Sequence, residues 1–334
     1  MNEAIASAPL RLSLAGGGTD LPEHYSRHGC HLLACAIPHR VRVTIRPHRE
    51  ARLVLPDGEE TAPVVARLSP SLVRTALVSL GVDRAEVVVE SGLPAGSGLG
   101  GSGALLVALV AATRAASAAV VDAAEAAQTG FAIERHDAAR VVGCQDHWAA
   151  ALGGVVRLRV STDGVASARR EPALEEGMTA LMEGSLSLFQ TPLRRSAADV
   201  LAVTVERLGS DAGARQSMQA IAGGVDAMGR AIATADAAAL GALVEAHWAA
   251  KKRVNPGATT ASIDRWLDLA RAHGATGGKV IGAGRGGHLL VVHPRAAEPG
   301  VRAALAEEGM RLVPLGLERA GLLCGDEREP GSLE

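Results

Sequence analysis

A run of glycines between an apolar strand and an alanine-rich helix constrains this chain more than any other stretch. Residues 94–104 read Pro-Ala-Gly-Ser-Gly-Leu-Gly-Gly-Ser-Gly-Ala. A strand pattern precedes them (Ala85 to Ser91) and a buried-helix pattern follows from Ala104. Glycines 96, 98, 100, 101 and 103 remove the β-carbons that would hold a ligand away from the backbone. A helix starting there offers unpaired N–H groups and a partial positive charge, which together cradle an anion. A nucleotide triphosphate fits that description.

Spacing argues against two other glycine loops. A P-loop ends in Gly-Lys-Ser/Thr, and the one Gly-Lys pair, Gly278-Lys279, is followed by Val280. A dinucleotide fold needs Gly-x-Gly-x-x-Gly with an acid at the end of the next strand. From Gly98 the spacing is Gly-x-Gly-Gly-x-Gly, and the acids that follow, Asp122 and Glu125, lie in a helical pattern.

The 334 residues suit two ordinary domains, and 48% hydrophobic residues supply a large core. Aromatics are 2%, too few for a surface that stacks single-stranded nucleic acid. A formal charge of −2 gives no general attraction to nucleic acid or acidic membranes, so neither is expected as a partner. Cys30, Cys35, Cys144 and Cys324 are scattered without a Cys-x-x-Cys pair, as free thiols in a reducing compartment would be. The start of the chain lacks a basic-then-apolar leader, and no 18-residue charge-free apolar stretch occurs. A soluble cytoplasmic protein is expected.

Alternation marks strands at residues 8–15, Leu32–Ile37, Arg40–Pro47 and Val155–Val160. Helical patterns cover Leu72–Leu80, the run after Ala104, and a segment from the cap Asp122 to about Val141, with a further short helix opening at Asp146. Turn residues over 161–180 mark a boundary, giving domains 1–170 and 171–334. Beyond it, helices are expected over about 196–208, 213–232, 236–252 and 260–273. A second glycine loop, Gly282–Gly287, and a strand from His288 follow.

Three stretches in order, Ala8-Pro-Leu-Arg-Leu-Ser-Leu-Ala-Gly-Gly-Gly-Thr-Asp20, Leu93-Pro-Ala-Gly-Ser-Gly-Leu-Gly-Gly-Ser-Gly-Ala104 and Lys279-Val-Ile-Gly-Ala-Gly-Arg-Gly-Gly-His288, resemble the GHMP small-molecule kinases. Val142-Gly-Cys-Gln-Asp-His-Trp-Ala-Ala-Ala-Leu-Gly-Gly154 and Glu245-Ala-His-Trp-Ala-Ala-Lys-Lys252 resemble the branch of that family acting on heptose 7-phosphates. The resemblance implies an α+β, two-domain GHMP kinase fold. Its N-terminal ATP-binding domain would be ribosomal protein S5 domain 2-like and its C-terminal domain ferredoxin-like. It implies ATP and Mg2+ as cofactors and a small-molecule sugar phosphate as partner, and it allows a homodimer. The implied reaction phosphorylates the anomeric C1 hydroxyl of a heptose 7-phosphate, giving the 1,7-bisphosphate for nucleotide-activated heptose synthesis. A fucose- or galactose-type sugar-1-kinase, or a non-catalytic ATP/sugar sensor on the same fold, stay open as alternatives. Retention of Glu134 and Asp146 speaks against the sensor.

Phosphoryl transfer asks a protein to align acceptor and γ-phosphate, neutralise charge and help remove a proton. The resemblance assigns the nucleotide to Pro94, Gly96, Ser97, Gly98, Leu99, Gly100, Gly101, Ser102 and Gly103. It makes Ser102 and Glu134 the magnesium ligands, although a helical glutamate by itself reads as a surface charge. The family usually has two consecutive serines here, and Gly101 replaces the first. Asp146 reads from the residues alone as a helix cap; the resemblance makes it the proton acceptor, with Arg11 beside it as a fixed cation. Substrate contacts are expected from Gly17, Gly18, Thr19, Asp20, Arg195, Lys252, Gly284, Arg285 and Gly286, and Lys279 is a candidate anion contact. His24, His28, Cys30 and His31 lack a zinc spacing.

Overall fold

Two long antiparallel strands form the spine of the N-terminal half. In the computed structural model, which describes residues 1–94, 96–193 and 197–325, β1 (Ala4–Ala15) pairs along its length with β2 (Cys30–Arg46). Between them lies α1 (Pro22–His28). There follow β3 (Ala51–Leu55), β4 (Gly58–Ala62), α2 (Leu72–Ser79), β5 (Glu86–Ser91), α3 (Gly101–Ala116), α4 (Ala123–Ala132), α5 (Gln145–Leu152), β6 (Val155–Val160) and β7 (Ala166–Arg170). The chain is α+β, as its sequence implies.

The sequence suggests two strands separated at Pro38, whereas β2 is one strand. The register with β1 shifts between the pairs Pro9–Arg40 and Leu10–Ile37, so Pro38 and His39 bulge from the ladder where no N–H is required. On its other edge β2 pairs with β6 over 30–35 and with β5 over 41–46, leaving the kink between them. β3 and β4 extend the sheet beyond β5 and were not expected; in β4, Gly58-Glu-Glu-Thr-Ala62 carries no apolar alternation, and β3 is only five residues long. The helix capped by Asp122 stops short of Val141: α4 passes into a π-helical turn over Ile133–Asp137, which carries Glu134. α3 lies across this sheet with Leu106, Val107, Leu109 and Val110 fully buried, each worth about 1.5–3 kcal/mol.

The second half runs α6 (Glu175–Gly184), β8 (Leu186–Gln190), α7 (Ala197–Ser210), α8 (Ala212–Gly223), α9 (Val225–Ala233), α10 (Ala237–Val254), α11 (Ala261–Ala272), β9 (Gly277–Val280), β10 (His288–Val292), α12 (Glu298–Glu307), β11 (Arg311–Val313) and β12 (Leu323–Cys324). The single helix expected over 213–232 is two, broken at Gly223-Gly224. β11-β8-β10-β9 form an antiparallel sheet over a core containing Phe189, Trp248 and Trp266, while β12 returns to pair with β1. No helix among the described residues is long and apolar enough to cross a membrane.

α10 approaches β9 so closely that a β-carbon on Gly277 would lie 2.1 Å from the Gly241 carbonyl oxygen. Gly277→Ala is therefore expected to cost about 1–3 kcal/mol in a denaturant titration. Gly209→Ala, in the exposed last turn of α7 with nothing near its β-carbon, should instead stabilise by about 0.5–1 kcal/mol.

Candidate active site

The glycine loop leaves β5 and feeds α3 through three residues with positive φ, Gly96 (77°), Gly98 (81°) and Gly100 (79°). Leu99 is fully buried and anchors the loop to the core, leaving the free N–H groups at the start of α3 beside it. Gly103 lies where a β-carbon would be 2.6 Å from Asp146 Cβ, so the first turns of α3 and α5 touch. A β-carbon on Gly101 meets nothing, so crowding does not explain the missing serine there. Pro94 and Gly96 are exposed, at the open end of the loop.

Arg11 comes from the middle of β1 and is buried. Its Nε donates to Asp146 Oδ1 at 2.8 Å, Nη2 lies 2.6 Å from the same oxygen as an ion pair, and Nη1 donates to the Gly98 carbonyl at 2.7 Å. Asp146 lies in the first turn of α5 and keeps part of its carboxylate exposed, so it can reach a ligand. Asp20 is 1% exposed and accepts the Gln145 N–H at 3.0 Å, capping the same helix. Only glycine fits at 143, since a β-carbon there would be 2.1 Å from Asp20 Oδ2. Burial pushes the Asp20 carboxyl up, and the neighbouring Asp146 adds to this.

Glu134 is 2% exposed, not a surface charge. His147 Nε2 lies 3.2 Å from Oε2, at an angle too oblique for a full hydrogen bond, and Arg140 Nη1 lies 3.5 Å from Oε1. Burial pushes this carboxyl up, but the polar contacts with His147 and Ser102 outweigh it and hold it below the usual range. A buried, ionised carboxylate facing a serine hydroxyl at a phosphate-facing helix start is a donor pair that suits magnesium, whose remaining ligands are phosphate and water oxygens. Ser102 and Glu134 thus fit the ion.

Arg11, Asp20, Glu134 and Asp146 line one pocket together with Gly17 and Gly18 of the first glycine turn. From the other half of the chain come Lys251, Asn255, Gly282 and an apolar wall that includes Met218 and Ile221. Other expected residues stand elsewhere. Thr19 is fully buried and latches the turn, donating to the Gly16 carbonyl at 2.7 Å. Lys252 pairs with Asp264 at 3.1 Å, off the pocket wall. Arg285 is exposed with φ 65°, while Gly284 and Gly286 pack against Ala258 and Leu193. Lys279 is no anion contact: it is buried and donates to the Leu14 carbonyl at 2.6 Å, and burial pushes its amine well below the ordinary value. Arg195 lies outside the described residues.

Lys251, which donates to the Gly282 carbonyl, is the pocket lysine that the sequence reading passed over for its neighbour. Helical phase could have found it, since it continues the buried stripe Leu240, Val244, His247 and Trp248 of α10. His147 and Gly143 left no comparable signal.

The chain matches the model of the GHMP kinases N terminal domain over residues 68–154 and that of the GHMP kinases C terminal over 229–310. It is 25% identical over 326 residues to a D-glycero-alpha-D-manno-heptose 7-phosphate kinase of Campylobacter jejuni, covering 92% of this chain and 95% of that one. Among solved structures, a D-glycero-D-manno-heptose 1-phosphate kinase from Bacteroides thetaiotaomicron superposes with a TM-score of 0.76 at 20% identity, covering 98% and 100% of the two chains. The galactose complex of Lactococcus lactis galactokinase gives 0.75 at 16%, covering 96% and 95%. These likenesses to solved structures show the fold.

Asp20 yields a prediction with a definite sign. Its folded pKa is above the ordinary 3.8, so the stability it contributes is full below that value and is lost as pH rises through the folded pKa. At pH 7, above the ordinary value, burying this carboxyl is a net cost. Asp20→Asn should therefore melt at the same temperature or higher at pH 7, while sugar affinity falls about tenfold. A lower melting temperature at pH 7 would overturn this account.

Proposed function

We propose, from the premise that this chain belongs to the GHMP kinases, that it transfers the γ-phosphoryl group of ATP to the C1 hydroxyl of a heptose 7-phosphate. The carrying observation is that Arg11 joins Asp146 to the glycine loop, so a proton acceptor and a phosphate cradle share one fixed cation. Similarity to a curated heptose 7-phosphate kinase along nearly the whole chain supports the choice of acceptor.

Each residue then has one task. Asp146 takes the proton of the attacking hydroxyl, held in register by the hydrogen bond and ion pair with Arg11. Arg11 also faces the site of charge build-up on the transferring group. Asp20 and the turn at Gly17-Gly18 orient sugar hydroxyls, and Lys251 places a cation on the opposite wall. Magnesium, held by Ser102 and Glu134, would neutralise the phosphate oxygens. A second reading, a galactose- or fucose-type acceptor, is favoured by the apolar wall around Met218 and Ile221, where Lys251 is the lysine that the described residues offer a terminal phosphate.

Incubation with ATP and a panel of sugars with and without terminal phosphate separates the two, with NMR locating the new phosphorus coupling at C1. Asp146→Asn should lower kcat by about 10^2- to 10^4-fold while nucleotide affinity stays near wild type. Near-normal turnover in that variant would refute the role of Asp146.

A further inference from the structure

Three consecutive carbonyls of the glycine loop are each held by a donor from elsewhere in the chain. Leu99 O accepts the Arg11 backbone N–H at 2.9 Å, and Gly98 O accepts Arg11 Nη1 at 2.7 Å. Ser97 O is held by His288 Nδ1 at 2.7 Å. A trans peptide unit points its C=O and N–H in opposite directions. Tying these carbonyls toward the protein therefore turns the amides of the same units, at Gly98, Leu99 and Gly100, the other way. The Leu99 amide is turned onto Ser97 Oγ at 3.3 Å. Those of Gly98 and Gly100 are left to face an anion beside the start of α3.

His288 is the member of this set that the kinase reading does not use. It is the first residue of β10, directly after the third glycine motif, and both it and Ser97 are buried. A β-carbon on the adjacent Gly287 would lie 2.6 Å from the same Ser97 oxygen, so the approach needs glycine there. A carbonyl can only accept, so Nδ1 carries the proton. Burial pushes the ring pKa down and keeps it neutral, which leaves Nε2 as an acceptor, buried without a hydrogen-bond partner. An apolar side chain would fill this space without stranding that nitrogen. The donor supplied to Ser97 accounts for a histidine here.

We propose that His288 is a positioning residue for nucleotide binding, presetting the phosphate loop from the C-terminal half of the chain by fixing the Ser97 carbonyl. This rests on the reading of the glycine loop as an ATP site. The test uses the full chain with His288→Leu and His288→Asn. It measures affinity for ATP with magnesium by calorimetry, affinity for the sugar, KM for ATP against kcat, and the melting temperature of the free protein.

The leucine variant should melt near wild type and bind ATP about tenfold more weakly with sugar affinity unchanged, the loss appearing in KM more than in kcat. The asparagine variant, whose amide N–H can stand in for Nδ1–H, should recover most of that loss. Wild-type ATP affinity in the leucine variant overturns the proposal. So does an asparagine variant as weak as leucine, or a parallel fall in ATP affinity, sugar affinity and melting temperature. A wild-type protein that binds no ATP overturns the nucleotide reading and this proposal together.

Discussion

The geometry of the site is referred to one guanidinium. Arg11 gives its Nε–H to Asp146 within an ion pair, an Nη1–H to the Gly98 carbonyl, and its backbone N–H to the Leu99 carbonyl. One residue of β1 thereby sets the spacing of the first strand, the phosphate loop and the start of α5. A planar, forked cation fixes several directions at once, which the point charge of a lysine would not. With the Arg11 side chain 5% exposed, removing one partner of the pair would strand a buried charge at about 3–5 kcal/mol. The arrangement also requires Gly100, where a β-carbon would lie 3.0 Å from Arg11 Cγ.

Around that cation, three acids share a small volume because each has its own donor. Asp146 has Arg11, Asp20 has the Gln145 N–H, and Glu134 has contacts with His147, Ser102 and Arg140. The balance differs between them. For Glu134 the polar contacts win over burial, whereas for Asp20 burial wins over backbone N–H groups and the charge of Arg11. One of the two carboxyls is thus suited to a cation and the other to hydrogen bonds with neutral hydroxyls. The helix starts at α3 and α5, touching through Gly103, add their positive ends to the same region.

Buried polar contacts tie the two halves of the chain together. Lys279 reaches from β9 to the carbonyl of Leu14 at the end of β1, and His288 reaches from β10 to Ser97. Both are polar groups buried against the opposite half, and each satisfies a carbonyl that would otherwise be buried without a donor. The pocket itself takes its walls from both halves.

Local signals were legible wherever chemistry depends on neighbours in the chain: the glycine run before α3, the cap Asp122, the strand alternation of β1, and the order of the three glycine motifs. These were enough for the fold class and the glycine loop, whereas it was the family resemblance that put Arg11, Asp20, Glu134 and Asp146, which line one pocket, at a common site. The sequence did not distinguish Lys251 from Lys252, Lys279 as a strut from Lys279 as an anion contact, or Thr19 as a latch from Thr19 as a sugar contact. Each depends on which way a side chain faces and what covers it, and these are set by packing against residues far away in sequence. The sequence by itself determined the glycine turns and the elements with clear periodicity, because propensity and backbone freedom are local. Only the tertiary structure decided which groups meet, because a buried charge stays where a distant donor offsets its desolvation.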